Sequence, residues 1–82
     1  MEVRLPDRSR VDCLTDRYAV EVEYGRKWAE GAGQALYYAL QTGKRPAVAL
    51  IVGSGPREKR YLKRLEALAD RYGIRIYTLD KE

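Results

Sequence analysis

The chain reads as an α/β fold with the element order βββαβαβ, a mixed five-stranded sheet with two crossover helices. Three observations predict it. Short runs in the first 24 residues alternate apolar and polar side chains, as strands do. Two longer segments repeat apolar residues at helical spacing, and each ends at a glycine. Between them lies an unbroken apolar run, the pattern of a strand buried on both faces.

Glu2-Val3-Arg4-Leu5 alternates and predicts a first strand, followed by a turn at Pro6-Asp7-Arg8-Ser9. Arg10 to Leu14 alternates again, with Val11 and Cys13 on one side and Arg10, Asp12 and Leu14 on the other. Beyond Thr15-Asp16-Arg17, Tyr18 to Tyr24 puts Val20 and Val22 on one side and Ala19, Glu21 and Glu23 on the other. These three strands form an antiparallel meander. Lys27 to Thr42 is a helix whose apolar stripe is Trp28, Ala32, Ala35, Leu36, Ala39 and Leu40, with Gly43 as its C-cap. Pro46 to Val52 is the buried strand. Gly53-Ser54-Gly55-Pro56 turns the chain into a second helix that runs to Tyr72 and stops at Gly73, burying Tyr61, Leu62, Leu65, Leu68, Ala69 and Tyr72. The last strand is Ile74 to Leu79. Each helix joins strands that should be parallel. If both crossovers are right-handed and progress the same way, both helices stack on one face of the sheet.

The 82 residues predict one domain, 1–82, small enough to bury only roughly 60% of its unfolded surface. Cys13 is the single cysteine, so no disulfide within the chain supplements the core. Histidine is absent, which excludes Cys/His zinc sites and Ser-His-Asp triads. No apolar run is long enough to span a bilayer and no signal peptide opens the chain, so the cytoplasm is the expected compartment. The net charge of +4 is consistent with a polyanionic partner.

The candidate chemistry lies on one face of the meander. A loop at Asp16-Arg17 pairs Asp12 with Glu21. A loop at Thr15-Asp16 shifts the pairing by two and leaves the faces unchanged. In either register Asp12, Glu21 and Glu23 project from the side opposite Val11, Val20 and Val22, and Glu2 can join them. Residues i and i+2 on a strand lie roughly 6.6 Å apart. Carboxylates this close repel unless a cation intervenes, and hard ions such as Mg²⁺ take carboxylate and carbonyl oxygens. A sheet with one wet face shows the same alternation, and on the strands alone solvation is the better reading. The first helix shifts the balance. Lys27, Gly31, Gln34 and Tyr38 form a second stripe beside the one led by Trp28, and Lys27 can reach back towards Glu21 and Glu23. Arg57, Arg60, Arg64 and Arg71 line one stripe of the second helix, with Lys59 and Lys63 nearby. This is either a phosphate-binding surface or a solvated face paired with Glu58, Glu66 and Asp70.

At these residues the sequence resembles a known family. Arg10-Val11-Asp12-Cys13-Leu14, then Tyr18-Ala19-Val20-Glu21-Val22-Glu23, then Gln34-Ala35-Leu36-Tyr37-Tyr38 on the following helix, is similar to the PD-(D/E)XK nuclease superfamily. The helical Gln-x-x-x-Tyr is the pattern of RecB-like members, and Glu2 sits where Holliday-junction-resolvase-like members place an extra acidic residue. The resemblance covers residues 2 to about 52. It implies a restriction-endonuclease-like fold and a Mg²⁺- or Mn²⁺-dependent DNA endonuclease. Asp12, Glu21 and the Val22 carbonyl would be metal ligands, with Glu2 as the additional acid. Gln34 and Tyr38 would orient the site or contact the scissile strand; Arg57, Arg60, Lys63 and Arg64 lie beyond the resemblance, and DNA contact there rests on their charge alone.

Two departures stand out. The family's lysine position holds Glu23. Some restriction endonucleases carry glutamate there, and other members move the lysine to the neighbouring helix, where Lys27 is placed for the task. Alternatively, activity is lost and a DNA- or protein-binding domain remains. The N-terminal helix that commonly covers one side of the sheet is also missing, which predicts a homodimer across the uncovered face.

Overall fold

The computed structural model describes residues 2–7 and 10–81. Strands β1 (Val3–Arg4), β2 (Arg10–Val11), β3 (Cys13–Leu14) and β4 (Tyr18–Tyr24) come first. A single 3₁₀ turn, Gly25–Lys27, then leads into α1 (Trp28–Thr42). Strand β5 (Arg45–Val52), α2 (Pro56–Tyr72) and β6 (Arg75–Asp80) complete the chain. The expected turn at Pro6 and Asp7 is present, and its Arg8 and Ser9 lie outside the described residues.

The sheet is mixed but is not a single five-stranded one. β3-β4-β5-β6 form four strands, β3 antiparallel to β4 and the rest parallel, while β1 and β2 pair in a separate two-stranded sheet. The split falls at Asp12. The Asp12 N–H donates to a Glu21 carboxylate oxygen at 3.1 Å, and the Asp12 carboxylate accepts the Val22 N–H at 2.9 Å. Side chains stand in for ladder bonds there, so the strand bends as it does at a bulge. The bend also breaks the alternation. Val11 packs with Leu5, Ala19 and Tyr38 on the helix side of the sheet, not with Cys13 and Val20 on the far side.

The parallel register sorts β4, β5 and β6 into cross-sheet rows. Glu21–Val48–Ile76 and Glu23–Leu50–Thr78 face the helices; Val20–Ala47–Arg75, Val22–Ala49–Tyr77 and Tyr24–Ile51–Leu79 face away. Both helices stack on one face, and α1 touches α2. The main core is Ala32 and Ala35 of α1, Val48 and Leu50 of β5, Leu65 and Ala69 of α2, and Ile74. Leu50 and Leu65 are fully enclosed, each contributing roughly 1.5–3 kcal/mol. Small alanines on α1 and α2 let the helices lie close to one another and to the sheet.

Gly43 and Gly73 cap the two helices at φ 69° and 70°, and their N–H groups return to the carbonyls of Ala39 and Ala69. Two stripe residues are not buried as the spacing predicts. Leu40 is 77% exposed; it lies about 120° round the helix from Trp28, past the edge of the contact. Tyr72 is more than half exposed in the last turn of α2, with the Arg71 guanidinium over its ring. Among the described residues no helix is long and apolar enough to cross a membrane.

Candidate functional site

The β3–β4 hairpin sets the register of the carboxylates. Thr15 N–H donates to the Tyr18 carbonyl at 2.9 Å, and Thr15 Oγ1 accepts the N–H groups of Arg17 and Tyr18, so Asp16-Arg17 is the loop. Cys13 then pairs with Val20, which brings Asp12 opposite Glu21. The two acids hold each other's strands: Glu21 takes the Asp12 N–H and Asp12 takes the Val22 N–H. On an extended strand the N–H and C=O of one residue point the same way, so the Val22 carbonyl faces the Asp12 edge.

The carboxylate face is not a wet face. Glu21 lies on the helix side and is only 3% exposed. Burial pushes its carboxyl up to about 7; the Asp12 N–H opposes that rise, and the charges of Asp12, Glu23 and Glu2 add to it. Each acid keeps one oxygen, Asp12 Oδ1 and Glu21 Oε1, that accepts no hydrogen bond among the described residues. Among the described residues no side-chain oxygen or nitrogen is both buried and unbonded, so Glu21 Oε1 reaches solvent although its residue is enclosed. Among the described residues no cation pairs with either acid. The ion pair there is Arg10–Glu2 at 3.5 Å, between exposed side chains.

Glu23 lies next along β4, half-buried under α1. Its carboxyl is raised by burial and by Glu30 and Asp12, while Lys27 and Arg26 pull it down. Gly31 makes this placement possible, since a Cβ there would stand 3.0 Å from Glu23 Cγ and 3.6 Å from Val48 Cγ1. Lys27 is exposed in the 3₁₀ turn, close enough to Glu23 to act on its charge. Tyr38 is buried against Leu5, Val11 and Ala19. Burial keeps its phenol protonated to higher pH, and the charges of Glu21, Asp12 and Asp7 reinforce this. Gln34, one turn earlier on the same stripe, is half-buried with no side-chain hydrogen bond among the described residues.

The fold thus spreads Asp12, Glu21, Glu23, Lys27 and Tyr38 along the β4–α1 contact, Lys27 at the Glu23 end and Tyr38 at the Ala19 end, with Glu2 at the rim by Glu21. It does not bring three or more Asp, Glu, Cys or His side chains close enough to hold a metal among the described residues. Arg57, Arg60, Lys63 and Arg64 are exposed on α2, which packs over β5 and β6 rather than beside the carboxylates. Among the described residues none of these four forms an ion pair. Sequence reasoning missed Asp7, which accepts the Tyr37 hydroxyl and ties the β1–β2 loop to α1. A loop-to-helix contact 30 residues apart leaves no periodic trace. Comparison with known proteins brings no match: no family model, no curated protein and no solved structure aligns with the chain.

Proposed function

We propose that the chain is a metal-dependent endonuclease that hydrolyses phosphodiester bonds in DNA, in the PD-(D/E)XK manner, with the cytoplasm as its compartment. One observation carries this reading: Asp12 and Glu21 are pinned to each other's strands, one of them enclosed, and among the described residues no cation pairs with them and each keeps one oxygen without a hydrogen bond. Burial first, and the neighbouring carboxylates after it, make a charged Glu21 costly in the metal-free site, and a positive charge would relieve both. With the Val22 carbonyl the donors are all hard oxygens, the set Mg²⁺ or Mn²⁺ takes together with water, and two carboxylates suffice for Mg²⁺. A bound ion would supply an activated water and charge stabilisation at the phosphate.

The remaining roles belong to the chain's own residues. Asp12 and Glu21 hold the ion, and the backbone bonds between them fix their spacing. Lys27 presents an ammonium near Glu23, where negative charge develops on the phosphate. Tyr38 stays protonated and can donate through its hydroxyl, and Gln34 can orient the strand one turn away. Arg57, Arg60, Lys63 and Arg64 attract the DNA backbone.

A second reading, a non-catalytic relative that binds DNA or protein, is favoured by Glu23 in the lysine position and by Glu30 beside it. The test uses Asp12→Asn and Glu21→Gln, which keep the shape and the acceptor oxygens. Calorimetric titration of Mn²⁺ should show each variant losing roughly tenfold or more in affinity, with nicking of linear and branched DNA abolished. Unchanged Mn²⁺ binding in both would place the site elsewhere. Mn²⁺ binding without nicking in the parent would favour the second reading.

A further inference from the structure

A separate cavity lies at the carboxyl ends of the parallel strands, the edge where open α/β sheets bind ligands. It has a volume of about 170 Å³ and is lined by Tyr24, Gly25, Arg26, Arg57, Glu58, Tyr61 and Lys81. Three cations reach it from three elements: Arg26 from the 3₁₀ turn after β4, Arg57 from the first turn of α2, and Lys81 from just beyond β6. Their placement is built into the fold. The Lys81 N–H donates to the Val52 carbonyl at 3.1 Å, and the Arg26 guanidinium lies 5.3 Å from the Tyr24 ring centre. Gly25 closes the floor, where a Cβ would stand 3.1 Å from Val52 Cγ1, 3.2 Å from Tyr61 Cδ2 and 3.3 Å from Glu58 Oε1.

The charges fix the sign of the ligand. Among the described residues none of the three cations has a carboxylate within ion-pair distance. Glu58 also lines the cavity, but its Oε1 accepts the Gly53 N–H at 3.0 Å, which holds it against the backbone. Three cations less one carboxylate leave the lining at +2. A phosphate monoester carries about −1.5 to −2 at pH 7. The phosphodiester of a continuing strand carries a single charge and runs through a groove rather than into a pocket. The volume agrees, because it falls below the roughly 300 Å³ of small-molecule pockets and suits a phosphate group with the rest of its ester towards solvent.

We propose that this cavity binds a phosphate monoester dianion, gripped by Arg26, Arg57 and Lys81, with Tyr24 and Tyr61 as its walls. The dianion has two sources, the phosphorylated end of a nucleic-acid strand or a small phosphate ester. Only the first rests on the nuclease reading.

The test is run on the full chain in a metal chelator, so that loss of the Asp12–Glu21 site cannot affect it. Inorganic phosphate is titrated calorimetrically, and a short oligothymidylate is compared with and without a 5′ phosphate by fluorescence anisotropy. Inorganic phosphate should bind, and Arg57→Gln with Lys81→Gln should weaken it by about tenfold or more, the size of one or two lost charge-assisted bonds. Arg26→Gln alone should weaken it severalfold. Arg71→Gln removes one charge about 21 Å further along α2 and should change it less than about twofold. A preference for the phosphorylated oligonucleotide that vanishes in the double variant assigns the pocket to strand ends. Phosphate binding without that preference assigns it to a small ester. No phosphate binding in the parent, or an equal loss in Arg71→Gln, overturns the proposal. Thermal melting of each variant establishes that it is folded.

Discussion

The Glu21 carboxyl, raised from 4.5 to about 7 by its enclosure under α1, ties the site to the stability of the fold. The folded chain binds this proton more tightly than the unfolded chain does. Its contribution is therefore greatest below about pH 4.5 and is lost as pH rises towards 7, at a cost on the order of 3 kcal/mol at most. Glu23 is shifted the same way and adds to the trend. In metal-free buffer the melting temperature should fall between about pH 5 and 8. Glu21→Gln, which keeps the acceptor for the Asp12 N–H, should flatten much of that fall and melt above the parent at pH 8. A variant whose melting curve tracks the parent's across this range would contradict the argument. The identities of Asp12, Glu21 and Glu23 were legible because their residue types and two-residue spacing are written in the strand. Their environment was not. Alternation assigns faces without saying which face a helix covers, so on the strands alone the carboxylate face read as solvated. Gly31 was visible only as a member of a stripe, and its use as the seat of Glu23 needs the helix and strand docked.

Among the elements, the two helices, β4, β5 and β6 were legible to within a residue or two, since capping glycines and sustained periodicity mark them. The β2–β3 segment was not, because the bend at Asp12 arises from side-chain-to-backbone bonds with the neighbouring strand, which no local pattern encodes. The 3₁₀ turn Gly25–Lys27 is the element on which the proposed nuclease reading depends most. It carries Lys27 past the end of β4 and back against Glu23, where the ammonium lowers the carboxyl's proton affinity. If Lys27 replaces the lysine that position 23 lacks, Lys27→Ala should slow cleavage by about a hundredfold, the size of one lost charge stabiliser. Mn²⁺ affinity should change little, because an ammonium is not a ligand. Glu23→Lys in that background should restore part of the rate. Cleavage at the parental rate in Lys27→Ala would reduce Lys27 to a solvated turn residue.

For the molecule as a whole, the placement of both helices on one face has a consequence for assembly. The other face presents Val22, Tyr24, Tyr77 and Leu79 at 40%, 46%, 40% and 45% exposure, set around Ala49 and Ile51, with Arg75 at one edge. Rows three residues deep on three strands span roughly 15 by 15 Å, and the overhanging rings extend this to a few hundred Å². An apolar patch of that size is at the upper end of what a monomer exposes. A second copy of the chain is the simplest cover, since a twofold axis lying parallel to the face, in the plane of contact, would bring the same patch of both copies together. The area is well short of the roughly 800 Å² per partner of a standard interface, so the association should be weak, with a dissociation constant on the order of micromolar to tens of micromolar. Sedimentation velocity across that range should show a monomer–dimer equilibrium. Leu79→Asp, which places a charge on the patch far from Asp12 and Glu21 in sequence, should shift it to monomer while Mn²⁺ binding persists. That both helices would share one face was legible in the two crossovers, but only the register of β4, β5 and β6 shows which side chains occupy the other. A parent chain that sediments as a monomer up to about 500 µM, well above that affinity range, would mean that the face stays open in solution.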